Sequence, residues 1–372
     1  MMTPIRILVV DDSVVIRKLL SETLSGDPAL QVVGTAGDGR IALAKIPSLK
    51  PDLITLDVEM PVMDGLETLA ELRKLYPRLP VIMFSTLTER GAGATLEALA
   101  LGASDYATKP NSVGGSAHAL ECVRLELIPK IKALCGVVLP LKLPAAKPRP
   151  APAASAVRAN RCIEIVAIGT STGGPNALAE VLPKIPGDFP VPIVVVQHMP
   201  PIFTRLLAER LGKQSAIAIE EGRAGAMLSP QHAWIAPGDF HMKIVRAGVE
   251  SRLNLNQGPP ENSCRPAVDV MFRSVAEVYR ANVLGVVMTG MGADGVLGAQ
   301  EIRNAGGEII IQDEASSVVW GMPGLVHASG LDDAAYPLDR LAAEITRRVL
   351  QSRIPRVPID LKSNSTMESH AK

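Results

Sequence analysis

Aromatic residues are scarce: four Tyr, five Phe and two Trp make up 3% of the 372 residues. Any core must therefore be built from Val, Ile, Leu and Ala, the usual filling of layered α/β folds. The four cysteines (Cys122, Cys135, Cys162, Cys264) form no CxxC pair and no regular framework. That excludes a disulfide scaffold and a zinc ribbon, and it favours a reducing, cytoplasmic location. Neither sign of charge is in excess, with Lys plus Arg at 38 and Asp plus Glu at 38. A protein that holds nucleic acid by bulk positive charge is thereby disfavoured. No apolar run reaches the roughly 20 residues of a membrane span. The opening MMTPIRILVVDDS passes from apolar residues straight into two aspartates, so it reads as a first strand and not as a secretory leader. The expectation is a soluble cytoplasmic protein with no membrane insertion and no nucleic-acid partner.

What is present suits a globular chain: 47% hydrophobic and 20% charged residues. The length predicts about two domains. Residues 140–160, PLKLPAAKPRPAPAASAVRAN, contain five Pro, seven Ala, four basic and no acidic residues. Proline removes backbone donors and blocks regular helix, so this segment reads as a semi-extended linker. It separates a first half, 1–139, from a second, 161–350, with a polar tail over 351–372. The neutral total divides unevenly. The two halves carry −2 and −4, the linker +4 and the tail +2. The globular bodies are mildly acidic, and the compensating positive charge lies in the connecting pieces.

In the first half, short apolar runs at 5–10, 31–36, 53–57, 81–85 and 105–107 alternate with amphipathic stretches such as 14–24, 66–75 and 117–134. Such βα alternation without hairpin turns predicts a parallel, doubly wound sheet. Polar residues stand just past the strand ends: Asp11 and Asp12, then Asp57, then Ser85 with Thr86, then Lys109 before Pro110. In this architecture the carboxyl ends of the strands line one crevice. Clustered carboxylates repel one another and favour a hard divalent cation such as Mg²⁺. One of them can act as a nucleophile toward a phosphoryl group, with a hydroxyl and a lysine to receive the phosphoryl oxygens.

These segments, VVDDS, LITLDVEMPVMDGLE, FSTLT and DYATKP, resemble the receiver domain of two-component response regulators over about residues 4–125. The resemblance implies a flavodoxin-like fold and phosphorylation of Asp57 by a histidine kinase. It also implies Mg²⁺ held by Asp11, Asp12, Asp57 and the Glu59 backbone carbonyl. Ser85, five residues after Pro80, would be the switch hydroxyl, with Thr86 as the alternative; Lys109 would support the phosphoryl group and Tyr106 would be the aromatic switch position.

The second half has buried-strand runs at 163–169, 192–197, 283–289 and 308–312, separated by helical stretches such as 175–181, 202–211 and 268–278. Residues 214–257 carry shorter strand-like pieces, expected to form a hairpin on the sheet edge. A DNA-binding output would be small, helical and basic; this one spans 190 residues, is net acidic and has several strands. Three segments carry candidate chemistry. In IEIVAIGTSTGGP, Ser171 lies on a glycine-rich turn between strand and helix. Such turns bind phosphates, but Gly169, Gly173 and Gly174 fit neither nucleotide-binding glycine pattern, and hydrolases present a serine nucleophile on this kind of turn. In PIVVVQHMPP, His198 follows a buried strand. In LGVVMTGMGADG, Asp294 follows another, in a loop where an Asp–Gly pair also suits an ordinary turn. By the strand-end rule all three meet in one crevice as nucleophile, base and orienting carboxylate.

The segments AIGTSTGGP, QHMPPIFT, WIAPGDFHM, CRPAVDVMF and MTGMGADG resemble the methylesterase domain of the CheB family, the chemotaxis response regulators that are protein-glutamate methylesterases. The similarity spans about 161–350 and implies a Rossmann-like, doubly wound parallel sheet with a small edge hairpin. It implies that Ser171 attacks a glutamyl methyl ester on a chemoreceptor, with His198 as base and Asp294 orienting it. Met291 would lend a backbone amide to the oxyanion, and Thr172 would hydrogen-bond in the site. The esterase chemistry would need no cofactor, and deamidation of receptor glutamine is an expected second activity. The partners implied are a chemotaxis histidine kinase and methylated chemoreceptor cytoplasmic domains. One departure is Cys264-Arg265-Pro266, where members often show His-Arg-Pro. Two other classes compete with this reading: a transcription factor, and a phosphorylation-dependent scaffold without catalysis.

Overall fold

The computed structural model describes residues 3–109, 115–136 and 161–354. The expected linker at 140–160 and most of the expected tail lie outside these residues. The first half comprises β1 (Ile5–Val10), α1 (Val14–Ser25), β2 (Leu30–Ala36), α2 (Gly39–Leu49), β3 (Leu53–Asp57), α3 (Gly65–Leu75), β4 (Val81–Ser85), α4 (Glu89–Ala100), β5 (Asp105–Thr108) and α5 (Gly115–Leu134). Its five strands pair in parallel in the order β2-β1-β3-β4-β5, the flavodoxin-like order. The chain runs outward from β1 to β2 and in the other direction from β3. The crevice therefore opens between the carboxyl ends of β1 and β3, where Asp11 and Asp57 stand.

The second half comprises β6 (Ile165–Thr170), α6 (Gly174–Val181), β7 (Ile193–Gln197), α7 (Phe203–Gln214), β8 (Ala218–Glu221), β9 (His232–Ile235), β10 (His241–Ala247), β11 (Glu250–Asn256), α8 (Val268–Tyr279), β12 (Val283–Val287), α9 (Val296–Asn304), β13 (Glu308–Gln312), α10 (Met322–Ala328), β14 (Ala334–Tyr336) and α11 (Leu338–Gln351). Seven strands form a parallel sheet in the order β14-β13-β12-β6-β7-β9-β8. Its central strands, IVAIGT, IVVVQ and VLGVV, are buried throughout. Unbroken apolar runs are what a parallel sheet covered by helices on both faces requires. Here the crevice opens between β6 and β12, from which the chain winds outward in opposite directions.

The hairpin is placed differently from expectation. β10 and β11 pair antiparallel as a separate two-stranded sheet, not as the edge of the large one. Two further parallel strands from the same segment, β8 and β9, occupy that edge. The hairpin's apolar face is satisfied by α8 instead. Met242, Ile244 and Leu253 join the cluster of Met271, Phe272 and Val275, and Ile244 N donates to Ser274 Oγ at 3.0 Å. After α11, Ser352 Oγ accepts from Ile163 N at 3.0 Å, so packing of the second half reaches slightly past residue 350.

The two halves pack on one another. α4 lies against α6 and α7: Asn176 Nδ2 donates to Leu99 O at 2.7 Å, Arg210 donates to Leu96 O, and Arg205 pairs with Glu89. Tyr106, at the end sheet strand β5, stacks on Phe203 of α7 with ring centroids 4.8 Å apart and planes 11° apart. Leu96, Leu99 and Tyr106 share one buried cluster with Phe203 and Leu207.

Candidate active site and phosphoryl pocket

In the first half the strand ends converge as expected. Carboxylate oxygens of Asp11, Asp12 and Asp57 all lie within 4.8 Å of one another. Lys109 Nζ stands 2.6 Å from Asp57 Oδ2 and 2.9 Å from Asp11 Oδ2. Lys109 thus bridges the two buried carboxylates. Burial pushes the Asp57 carboxyl up to about 6; the charge of Asp11 adds to this, while Lys109 holds it back. Asp12, Asp57, Glu59, Ser85, Thr86 and Lys109 line the open cleft. Ser85 is fully buried and its Oγ donates toward Gly91 O at 3.2 Å, whereas Thr86 is exposed with its Oγ1 on Thr88. The donor set is all oxygen and clustered, which fits a hard divalent cation. Tyr106 is not in the pocket but lies buried at the contact with the second half, its carbonyl accepting from Lys130 Nζ at 2.5 Å.

In the second half, register brings the serine and histidine side by side. β6 and β7 pair up to Thr170 and Gln197, so Ser171 and His198 are the next residues on adjacent strands. His198 N donates to Thr170 O at 3.2 Å, and Gln197 Nε2 donates to Ser171 O at 3.0 Å and His198 O at 3.2 Å. On the other side, Ser171 N donates to Thr289 O at 3.0 Å. Gly290 packs so closely that a Cβ there would stand 2.9 Å from Ser171 Cβ. The Gly290–Met291–Gly292 backbone thus reaches the serine because position 290 has no side chain. Thr172 behaves differently from expectation: its Oγ1 donates out of the site, to Asp105 Oδ2 of the first half at 2.9 Å.

Asp294, 1% exposed, meets His198 Nε2 through Oδ2 at 2.7 Å. That leaves Nδ1 as the ring nitrogen for proton exchange with the serine. No Ser171 Oγ–His198 hydrogen bond is formed among the described residues, which is common for a site without substrate. Burial opposes charge on Asp294, but the bond to His198 and backbone donors hold its carboxyl below the ordinary range. Burial likewise opposes charge on His198. The charge of Cys264 and the bonds to Asp294 and Cys264 outweigh it and push the imidazole up to about 10. Replacing Cys264 with Ser removes an influence that raises the imidazole. The acidic limb of a kcat/KM profile should then move to lower pH, a shift that pH–rate measurements on the two proteins will read.

Sequence reasoning missed Asp269 and Asn262, which surround Asp294, and Asp105, which takes the Thr172 hydroxyl. The signal for Asp269 was available: a lone acid inside the otherwise apolar run AVDVMF. It is 1% exposed, and burial followed by the charge of Asp294 pushes its carboxyl up to about 6.

Comparison with known proteins agrees with this geometry. A family profile described as CheB methylesterase matches residues 166–345, and one described as response regulator receiver domain matches 7–120. A protein-glutamate methylesterase/protein-glutamine glutaminase of Trichodesmium erythraeum (strain IMS101) is 52% identical over 355 residues, covering 94% of this chain and 100% of the relative. One from Nocardioides sp. (strain ATCC BAA-499 / JS614) is 48% identical, covering 96% and 99%. The solved catalytic domain of a Thermotoga maritima CheB methylesterase is 40% identical, with a TM-score of 0.50, covering 50% of this chain and 99% of its own. Two parallel α/β halves, one with a phosphoryl-type acidic pocket and one with serine, histidine and aspartate at its switch point, together with relatives this similar over nearly their full length, establish that the chain belongs to the CheB methylesterase family in the form that carries a receiver domain.

Proposed function

We propose that this chain removes methyl groups from glutamyl esters on chemoreceptor cytoplasmic domains, under the control of phosphorylation at Asp57. The observation that carries the reading is the convergence of Ser171, His198 and Asp294 on one crevice, with Asp294 2.7 Å from the imidazole. His198 Nδ1 takes the Ser171 proton as Oγ attacks the ester carbonyl. The oxyanion that forms is held by backbone amides that include Met291. When it collapses, the ester C–O bond breaks and His198 returns the proton to the leaving methoxide, giving methanol. Water then attacks the acyl-serine by the same proton path and releases the glutamate. With glutamine in place of the ester, attack on the same kind of carbonyl releases ammonia.

In the first half, a histidine kinase of the chemotaxis pathway would supply the phosphoryl group to Asp57. Asp11, Asp12, Asp57 and the Glu59 carbonyl would hold Mg²⁺, which when bound neutralises the phosphoryl oxygens. Ser85 and Lys109 would contact the phosphoryl group directly. Tyr106 on Phe203 and Asp105 on Thr172 support a resting state in which the receiver covers the crevice. Phosphorylation adds charge at Asp57 and shifts the packing toward an open form. No helix among the described residues is long and apolar enough to cross a membrane, in keeping with action in the cytoplasm on the receptors' soluble ends. The direct test is methanol release from a methylated receptor fragment incubated with the full chain, with a glutamine-bearing fragment assayed for ammonia. Methanol is expected; its absence at all enzyme concentrations would overturn the reading.

A further inference from the structure

The carboxylate that orients His198 is held by more than the histidine. α8 and α9 begin side by side, each lacking a side-chain cap from its own N-cap residue, Ala267 and Gly295. Each is capped instead by the other's aspartate. Asp294, just before α9, accepts Val268 N at 2.6 Å through Oδ2 and Asp269 N at 3.0 Å through Oδ1, both in the first turn of α8. Asp269, in that first turn, accepts Gly295 N at 3.0 Å and Gly298 N at 2.6 Å, at the start of α9. Close approach of the helices is possible because Gly298 has no side chain: a Cβ there would stand 2.4 Å from Phe272 Cβ.

Two buried carboxylates this close repel unless donors lie between them. Asn262 supplies those donors. Its Nδ2 lies 3.0 Å from Asp269 Oδ2 and 3.1 Å from Asp294 Oδ1, so one amide group serves both. The loop adopts strained backbone to deliver it: Asn262 and Ser263 have φ of 52° and 62°, a region non-glycine residues rarely occupy and that tends to be kept at functional sites. Other charges near Asp269 are Arg273, one turn on along α8, and Glu261, which pairs with Arg273 at 2.6 Å.

We propose that Asp269 and Asn262 are positioning residues for the hydrolytic reaction, fixing Asp294 so that Oδ2 rather than Oδ1 meets His198. The competition that makes them necessary is visible at Gly295. Its N–H lies 3.0 Å from Asp269 Oδ1 and 3.1 Å from Asp294 Oδ1. With Asp269 in place, that donor and Gly298 N are occupied. Without it, both turn to Asp294, draw Oδ1 toward α9 and swing Oδ2 away from the imidazole. Asn262 works from the opposite side, holding Oδ1 on its present line.

This inference rests on the Ser171–His198–Asp294 reading, and its test separates the two. Methanol release from a methylated receptor fragment is measured for the full chain and for Ser171→Ala, Asp269→Asn and Asn262→Ala. Folding of each is checked by circular dichroism and thermal melting. Asn262 lies in an exposed turn outside the helices and strands, so its replacement is a second variant to read if Asp269→Asn does not fold. Positioning predicts a fall in kcat of about tenfold to a hundredfold with KM unchanged. It also predicts a shift of the acidic limb of the pH profile to lower pH for Asp269→Asn, because an anion behind the imidazolium is gone. A purely structural capping role lowers the melting temperature alone. If Ser171→Ala is inactive while Asn262→Ala and any folded Asp269→Asn keep wild-type kcat and pH profile, the inference is overturned. If Ser171→Ala is as active as the wild type, the triad reading itself fails.

Discussion

Ser171→Ala is expected to lower methanol release by about a millionfold in kcat, the scale seen when a hydrolytic serine is removed from its triad. The chemistry needs an atom that can form an acyl bond, and among the groups around the crevice only the Ser171 hydroxyl lies on the turn after β6 with a glycine backbone packed against it. A residual rate above water is expected, because the proposed oxyanion donors, the Met291 amide among them, belong to the backbone and would remain. Binding should change little, since the substitution removes one hydroxyl and no charge. The measurement is single-turnover methanol release at saturating enzyme, together with pull-down of the methylated fragment by the variant. A fall of only tenfold would contradict Ser171 as the nucleophile.

Asp294→Asn should cost about ten-thousandfold in kcat, the second-largest effect. Asp294 accepts from His198 Nε2 and so leaves Nδ1 as the nitrogen that the proposed mechanism uses as base. An asparagine can present an N–H there, which favours the wrong tautomer and removes the charge that stabilises the imidazolium. It also places a neutral group where Val268 N and Asp269 N now find an anion at the start of α8. Some loss of stability should therefore accompany the loss of rate, by about 1 kcal/mol for a weakened helix cap. A melting curve distinguishes this from unfolding, and a pH profile of the residual activity reports the altered histidine.

The chain displayed some of this plainly and hid the rest. Strand ends were legible because parallel strands buried on both faces read as unbroken apolar runs, and the residue after each run stands in the crevice. Asp11, Asp57, Ser171, His198 and Asp294 were all placed at strand ends that way. Side-chain partners brought from distant parts of the chain were not. Asn262 lies 32 residues before Asp294 in an irregular loop, and no local pattern announces an amide held by left-handed backbone. Thr172 was expected to look into its own site, but its hydroxyl meets Asp105, 67 residues away in the other half. Packing between halves carries no periodic signal in either one. The hairpin was recognised as a hairpin, but its seat was not: an antiparallel pair with one apolar face fits a sheet edge or a helix equally well, and β8 and β9 had taken the edge.

Control of the hydrolytic half by the receiver can be read in one experiment. Methanol release from a methylated receptor fragment is followed before and after a small-molecule phosphodonor and Mg²⁺ are added, for the full chain and for Asp57→Asn. The expected result is slow release that accelerates on phosphorylation in the wild type and stays slow in Asp57→Asn. Release that is absent throughout, or equally fast in both proteins with and without phosphodonor, would contradict a receiver-gated esterase.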